Sequence, residues 1–212
     1  VSKIILDSYY VNKSHNHGIV VSAMGGFTDL LIKISEDCTS ESLFLSDEYK
    51  LISERISVLS NDLLEEEESK EYLDNVFSDF DKIKNILEQP SDSADGGEKG
   101  EIIAGFGELW SARLMNIYLN KLLAEKKSAF LDSRKVLFLE KSHIDHSVDW
   151  LKSKESFSEL ISSSPSSIYV ITGFIASKYN GISTNLGRNG SDYSAAIFAS
   201  LFDAEELVIW TD

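Results

Sequence analysis

Four short runs rich in Val and Ile limit what this chain can fold into: "GIVVSA" (18–23), "KVLFLE" (135–140), "SIYVITGF" (167–174) and "ELVIWTD" (206–212). Each has the length of a buried strand, and helical patterns lie between them. That alternation predicts an α/β domain with a mostly parallel sheet. One helix is expected over "GELWSARLMNIYLNKLLAEKK" (107–127), where Leu109, Leu114, Ile117, Leu119 and Leu122 form an apolar side. Lys121, Lys126 and Lys127 suit its C-terminal end. Another starts near Ser191 and runs through "DYSAAIFASLFDAEEL", its alanines fitting close packing on the sheet.

The 212 residues are 42% hydrophobic, enough for one core of ordinary domain size. A net charge of −15 argues against nucleic acid or an anionic membrane surface as the main partner. Cys38 stands alone, so neither a disulfide framework nor a cysteine-rich metal site is expected, and the reading is a reducing, cytoplasmic compartment. No apolar run approaches the roughly 20 residues of a membrane span, and no signal-peptide pattern is seen. The chain starts at Val1 without a methionine and stops just after an apolar run, which reads as a piece of something longer.

Residues 40–89 are charged and helical in pattern, a helical excursion with solvated faces. Its "EEEES" (65–69) reads as one such face, with a calcium or partner role as the alternative. "EQPSDSADGGEKGE" (88–101) has turn-forming composition and reads as a mobile loop; its GGEKG lacks the Gly-Lys-Ser/Thr ending of a phosphate-binding P-loop. "SHIDH" (142–146) offers His143, Asp145 and His146, and "KSHNHG" offers His15 and His17; both read as polar surface, with zinc binding as the alternative.

The chemistry concentrates in "TNLGRNGSDYSAA" (184–196). Glycines allow close backbone approach, a Ser-Asp pair suits a helix N-terminus, and arginine grips carboxylate or phosphate through two parallel hydrogen bonds. Together they read as an anion site. Polar residues also cluster at the carboxyl ends of the apolar runs: Ser22, Gly25, Gly26 and Thr28 after the first, Gly173 and Phe174 at the third, Thr211 and Asp212 at the fourth. Open α/β sheets bind ligands there, so separate segments are expected to meet in one crevice, although strand-to-helix turns use the same residue types.

"VVSAMGGFTDLL" (20–31), "GFGELWSARL" (105–114), "LDSR" (131–134), "TGFIA" (172–176), "LGRNGSDYSAA" (186–196) and "IWTD" (209–212) occur in the order and rough spacing of the aspartokinases. The chain resembles that family, within the amino-acid-kinase superfamily, from about Ile19 to Asp212. Asn189 and Tyr193 look more like the kinase halves of bifunctional aspartokinase–homoserine dehydrogenases. The resemblance implies a three-layer αβα sandwich and one aspartokinase-like catalytic domain over 1–212, incomplete at both ends. It lacks the family's opening Lys-Phe-Gly-Gly segment, whose lysine contacts phosphate, and its continuation beyond Thr-Asp. Turnover would then require the missing segments.

The implied reaction is ATP-dependent phosphorylation of the L-aspartate side-chain carboxylate to 4-phospho-L-aspartate, which opens the route to lysine, threonine and methionine. That carboxylate is already ionised, so catalysis rests on positioning and charge neutralisation. The resemblance assigns Arg188 to the substrate α-carboxylate and Ser191 and Thr28 to further substrate hydrogen bonds. Glu108 falls to the α-ammonium, or to a plain first-turn helix position, and Phe174 to an aromatic wall or to the core. Asp192 organises the transferring phosphate or caps the helix. Ser22, Gly187, Gly190, Thr211 and Asp212 lie on the nucleotide side, and Mg²⁺ accompanies ATP without a dedicated metal cluster. A homo-oligomer is expected. The competing readings are a non-catalytic amino-acid sensor and a kinase for glutamate or acetylglutamate; a dinucleotide oxidoreductase is disfavoured because no GxGxxG follows a first strand.

Overall fold

A computed structural model describes residues 16–90, 97–123, 128–140 and 147–210. Three parallel strands form the central sheet: β1 (His17–Val21), β2 (Ser128–Leu131) and β3 (Ile168–Thr172), in the order β1-β3-β2. His17 and Ser128 both register on Ile168, so the three strands start level and their carboxyl ends open on the same edge. A small antiparallel hairpin joins β4 (Ile175–Ser177) to β5 (Ser183–Asn185).

Alternation along β3 sets the layers, because successive side chains leave opposite faces of a strand. Ile168 and Val170 pack with Ala112, Leu119 and Leu123 of helix α5 (Phe106–Leu123). Tyr169 and Ile171 pack with Phe157 of α6 (Trp150–Ser163) and Phe198 of α7 (Gly190–Leu201). Every residue of β3 is buried, as a central strand covered on both faces requires. The expected three-layer α/β sandwich is the observed one.

The excursion forms a helical lobe. Helix α1 (Phe27–Asp37) leads into α2 (Asp47–Leu63) and α3 (Glu66–Glu88), and their buried side chains share one core with Trp110 of α5. Phe80 lies 5.1 Å from Trp110 and 4.8 Å from Tyr49, centroid to centroid. The glutamate run has a structural job: Glu65 and Glu68 form a capping box that starts α3. Buried Asp79 of α3 fastens the lobe to α5. It accepts from Trp110 Nε1 at 3.1 Å, from the Arg113 guanidinium, and from Lys82 Nζ at 2.7 Å.

Several expectations change. The run 135–140 is no sheet strand. Asp132 caps a 3-10 turn at Ser133–Lys135, after which Phe138 and Leu139 make only isolated bridges, to Ser177 and Val148. Val136, Leu137 and Leu139 are buried against the neighbouring elements, so their apolar pattern reports burial rather than ladder pairing. The strand beside β3 is instead the short "SAFL" of β2. Residues 206–210 pair with no strand among the described residues, and Trp210 is 72% exposed. Of the expected loop at 88–101, residues 91–96 lie outside the described residues and 97–101 begin helix α4 (Gly97–Ala104), because tertiary contacts outweigh glycine's poor helix propensity. Lys99 Nζ donates to Leu87 O at 3.3 Å, and Thr184 Oγ1 donates to Glu101 Oε2 at 2.8 Å. Leu122, expected on the apolar side of α5, is exposed. His143, Asp145, His146, His15, Lys126 and Lys127 lie outside the described residues, and His17 is in β1.

Replacing Asp79 by Ala would leave Trp110 Nε1 and the Arg113 guanidinium without this acceptor. The expected loss is about 2–4 kcal/mol, read from urea unfolding midpoints. An unchanged midpoint would show that the lobe does not depend on this carboxylate.

Candidate functional site

At the carboxyl edge of the sheet, four segments enclose a cleft of about 420 Å³. They are the loop after β1, the start of α5, the turn after β3 and the start of α7. Three glycines make the approach possible. A Cβ on Gly107 would lie 2.9 Å from Ala23 Cβ, and one on Gly190 would lie 2.7 Å from Phe174 Cδ2. A Cβ on Gly173 would meet Ser191 Oγ at 2.8 Å and Val21 O at 3.0 Å. Such distances are far inside van der Waals contact, so the segments meet backbone to side chain because these positions lack side chains.

The turn after β3 is unusual. Gly173 N–H donates to Val21 O at 2.9 Å, which carries the β1–β3 ladder one residue further. Ile175 N–H then donates back to Gly173 O at 2.6 Å across Phe174, whose φ is +64°. This is a three-residue turn with a bulky residue in the left-handed region, a conformation that needs support from its surroundings. Ser194 supplies it. Its buried Oγ accepts from Phe174 N–H at 2.9 Å and donates to Gly190 O at 2.8 Å, tying the turn to the first turn of α7. Beneath it, Ser133 N–H and Oγ bond to Thr172 Oγ1 at 2.9 and 2.7 Å, and Ser133 Oγ also donates to Ile175 O at 2.7 Å.

Helix α7 begins with Asn189 in the left-handed region at φ +58°, preceded by Gly187 at φ +74°. Its first-turn N–H groups have no partners within the helix and carry its positive dipole end toward the cleft. Arg188 is exposed, and among the described residues no carboxylate or carbonyl engages its guanidinium. Ser191 is half-buried beside Gly173, and Asp192 is exposed in the first turn.

Glu108 carries the sharpest electrostatic signature. It is 3% exposed, its Oε1 accepts from Ala23 N–H at 3.3 Å, and its buried Oε2 has no hydrogen-bond partner among the described residues. Burial pushes its carboxyl up to about 7, opposed only in part by backbone hydrogen bonds from Glu108 itself and Ala23. An acid so placed fits a cationic group entering from the cleft, since an unpaired buried carboxylate is costly. Asp192 is the other acid lining the cleft, and the described residues contain no cluster of three or more metal-ligand side chains. One exposed carboxylate beside a helix N-terminus fits a cation that keeps most of its waters and is held chiefly by phosphate oxygens.

Of the sequence-derived candidates, Ser22, Thr28, Glu108, Phe174, Gly187, Arg188, Gly190, Ser191 and Asp192 all line this cleft, while Thr211 and Asp212 lie outside the described residues. Phe174 is half-buried, so it both lines the cleft and packs against the core. Sequence reasoning missed Ser194, Gly107 and Ser133, which shape the site from behind. The spacing of Ser194, four residues after Gly190, was the available signal for its back-bond.

The family model described as the amino acid kinase family matches residues 4–212. The chain is 30% identical over 214 residues to bifunctional aspartokinase/homoserine dehydrogenase 2, chloroplastic, of Arabidopsis thaliana, covering 100% of this chain and 23% of that protein. It is 31% identical over 194 residues to bifunctional aspartokinase/homoserine dehydrogenase 2 of Escherichia coli strain K12, covering 92% of this chain and 23% of that one. The chain therefore spans about a quarter of the length of these relatives. Among solved structures, E. coli aspartokinase III in complex with aspartate and ADP superposes with a TM-score of 0.74 at 24% identity, over 97% of this chain and 45% of that chain. That likeness concerns the fold.

Two outcomes test the geometry. A carboxyl raised from 4.5 to about 7 in the folded state makes the fold bind more protons than the unfolded chain between those values, so its contribution to stability falls as pH rises through that window. Glu108→Gln should accordingly gain stability relative to the parent from pH 5 to pH 8, by up to about 3 kcal/mol in paired urea titrations. Gly173→Ala should cost about 1–3 kcal/mol by thermal melts, because its Cβ must displace Ser191 or the β1 backbone.

Proposed function

Since the chain belongs to the amino acid kinase family, we propose that it forms part of an aspartokinase catalytic domain. The protein containing it transfers the γ-phosphoryl group of ATP to the side-chain carboxylate of L-aspartate. The observation that carries this reading is the pairing, in one cleft, of a buried acid with an unpartnered oxygen and an arginine fork that no group among the described residues occupies. A zwitterionic amino acid complements both: its ammonium goes to Glu108, and its α-carboxylate goes to Arg188 with help from Ser191. Thr28 supplies a further substrate hydrogen bond, and Phe174 forms a wall that excludes water.

With both α-groups held, the side-chain carboxylate is directed to the start of α7. There Gly187 and Gly190 allow close approach to the start of α7, where the first-turn N–H groups of Ser191 and Asp192 and the helix dipole receive the negative charge of the phosphoryl group. Ser22 lies on the nucleotide side, to which the family resemblance adds Thr211 and Asp212, outside the described residues. Asp192 orders the transferring group, and it is the residue that would hold Mg²⁺, which when bound neutralises phosphate charge. Bound ammonium stabilises the ionised form of Glu108, so substrate affinity rises with pH through the window near 7. The reading includes a homo-oligomeric full-length protein and a reducing, cytoplasmic compartment, in keeping with the lone Cys38.

The test is aspartate-dependent ADP release by the full-length gene product with Mg-ATP, with glutamate and acetylglutamate as competitors. Arg188→Ala should lower kcat/KM for aspartate by about 10²-fold or more at unchanged melting temperature, and Arg188→Lys should recover little of it. Preference for glutamate or acetylglutamate would overturn the substrate, and tight aspartate binding without ADP release would replace the enzyme with a sensor.

A further inference from the structure

The loop Ala23–Gly26 lines the cleft and is built without a regular element of its own. At one end, Ala23 N–H is held by Glu108 Oε1 at 3.3 Å. At the other, Arg55 reaches across from the helical lobe, thirty residues later in the chain. Its Nη2 donates to Gly25 O at 2.8 Å, and its guanidinium carbon stands 4.7 Å from the centroid of the Phe27 ring. The two contacts use one planar group in two ways, an edge that donates and a face that stacks, which lysine cannot reproduce.

Both partners matter for the shape of the cleft. Phe27 is fully buried and is the first residue of α1, whose N-cap Gly26 sits at φ +79°. Phe27 N–H donates to Met24 O at 2.9 Å, so the loop is a tight reverse turn that delivers Thr28 to the cleft. The platform under Arg55 is stiff, since Ile52 and Ile56 on either side of it in α2 are buried in the lobe core.

We propose that Arg55 is a positioning residue. From the helical lobe it fixes the Ala23–Gly26 loop and the start of α1 in the geometry that receives the amino-acid substrate, without touching the substrate. The lobe thereby sets substrate affinity. This rests on the aspartate kinase reading for its kinetic consequence, but not for its structural one.

Arg55→Met and Arg55→Lys in the full-length gene product test it by hydrogen exchange and kinetics. Amide exchange over residues 23–30 should speed up about 10-fold in both variants while the amides of α2 and α3 keep their protection. KM for aspartate should rise about 10-fold, with kcat and KM for ATP changed less than about threefold. Unchanged exchange over 23–30 would overturn the proposal, as would an equal loss of protection throughout α2 and α3 with KM for aspartate unmoved. Localised loosening of 23–30 in a protein that releases no ADP with aspartate would support the positioning role while refuting the activity.

Discussion

Everything at the carboxyl edge of the sheet depends on how the chain leaves β3. Gly173 prolongs the ladder to Val21 by one hydrogen bond, and the chain then reverses across Phe174 at positive φ. A phenylalanine holds such a conformation only when its neighbours over-determine it. Here Ser194 grips its N–H, Leu186 N–H bonds its carbonyl at 2.8 Å, and Ser133 anchors the carbonyl of the next residue. Because the same bonds lock β5 and α7 to β3, the turn sets where Arg188, Ser191 and Asp192 stand. The placement of the anion-binding residues is thus a consequence of strand β3 more than of their own loop.

The opposite wall follows a different logic. Helix α5 belongs to two cores at once: Ala112, Leu119 and Leu123 pack on the sheet, while Trp110 and Leu114 belong to the helical lobe. Its first turn carries Glu108 into the cleft at a depth where the ionised form is poorly solvated. The Asp79 network holds α5 and α3 in one body, so the excursion that the sequence shows as charged helices is part of what fixes that acid in place.

Much of this was legible beforehand, for identifiable reasons. β1 and β3 announced themselves through β-branched runs, and the Gly-Arg-Asn-Gly-Ser-Asp stretch named its own chemistry. Glu108 was marked by the glycines around it. The errors share a cause: apolar patterning measures burial and says nothing of ladder partners. Val136, Leu137 and Leu139 are buried by packing against β4, α6 and α7 rather than by a strand ladder, and residues 206–210 meet no partner strand among the described residues. β2 escaped notice because four residues carry too little periodicity. Helix α4 was hidden by its glycines, one of which admits α1 so closely that a Cβ would sit 3.2 Å from Ser35 Oγ. Ser133 and Arg55 were invisible because the groups they hold lie 39 and 30 positions away in the chain, and of the two bonds of Ser194 only the one to Gly190 was within local reach, the one to Phe174 spanning 20.

The three glycine contacts around the cleft also limit how this site can change over evolutionary time. Gly107, Gly173 and Gly190 each separate two segments by less than the width of a methyl group. A substitution at any of them moves a wall and not merely its surface, so a new substrate size cannot be reached through those positions one at a time. The tolerant positions are cleft-lining residues with ordinary backbone angles, such as Met24. Diversification of substrate preference on this scaffold should run through the side chains that furnish the cleft, with the backbone that frames it held constant.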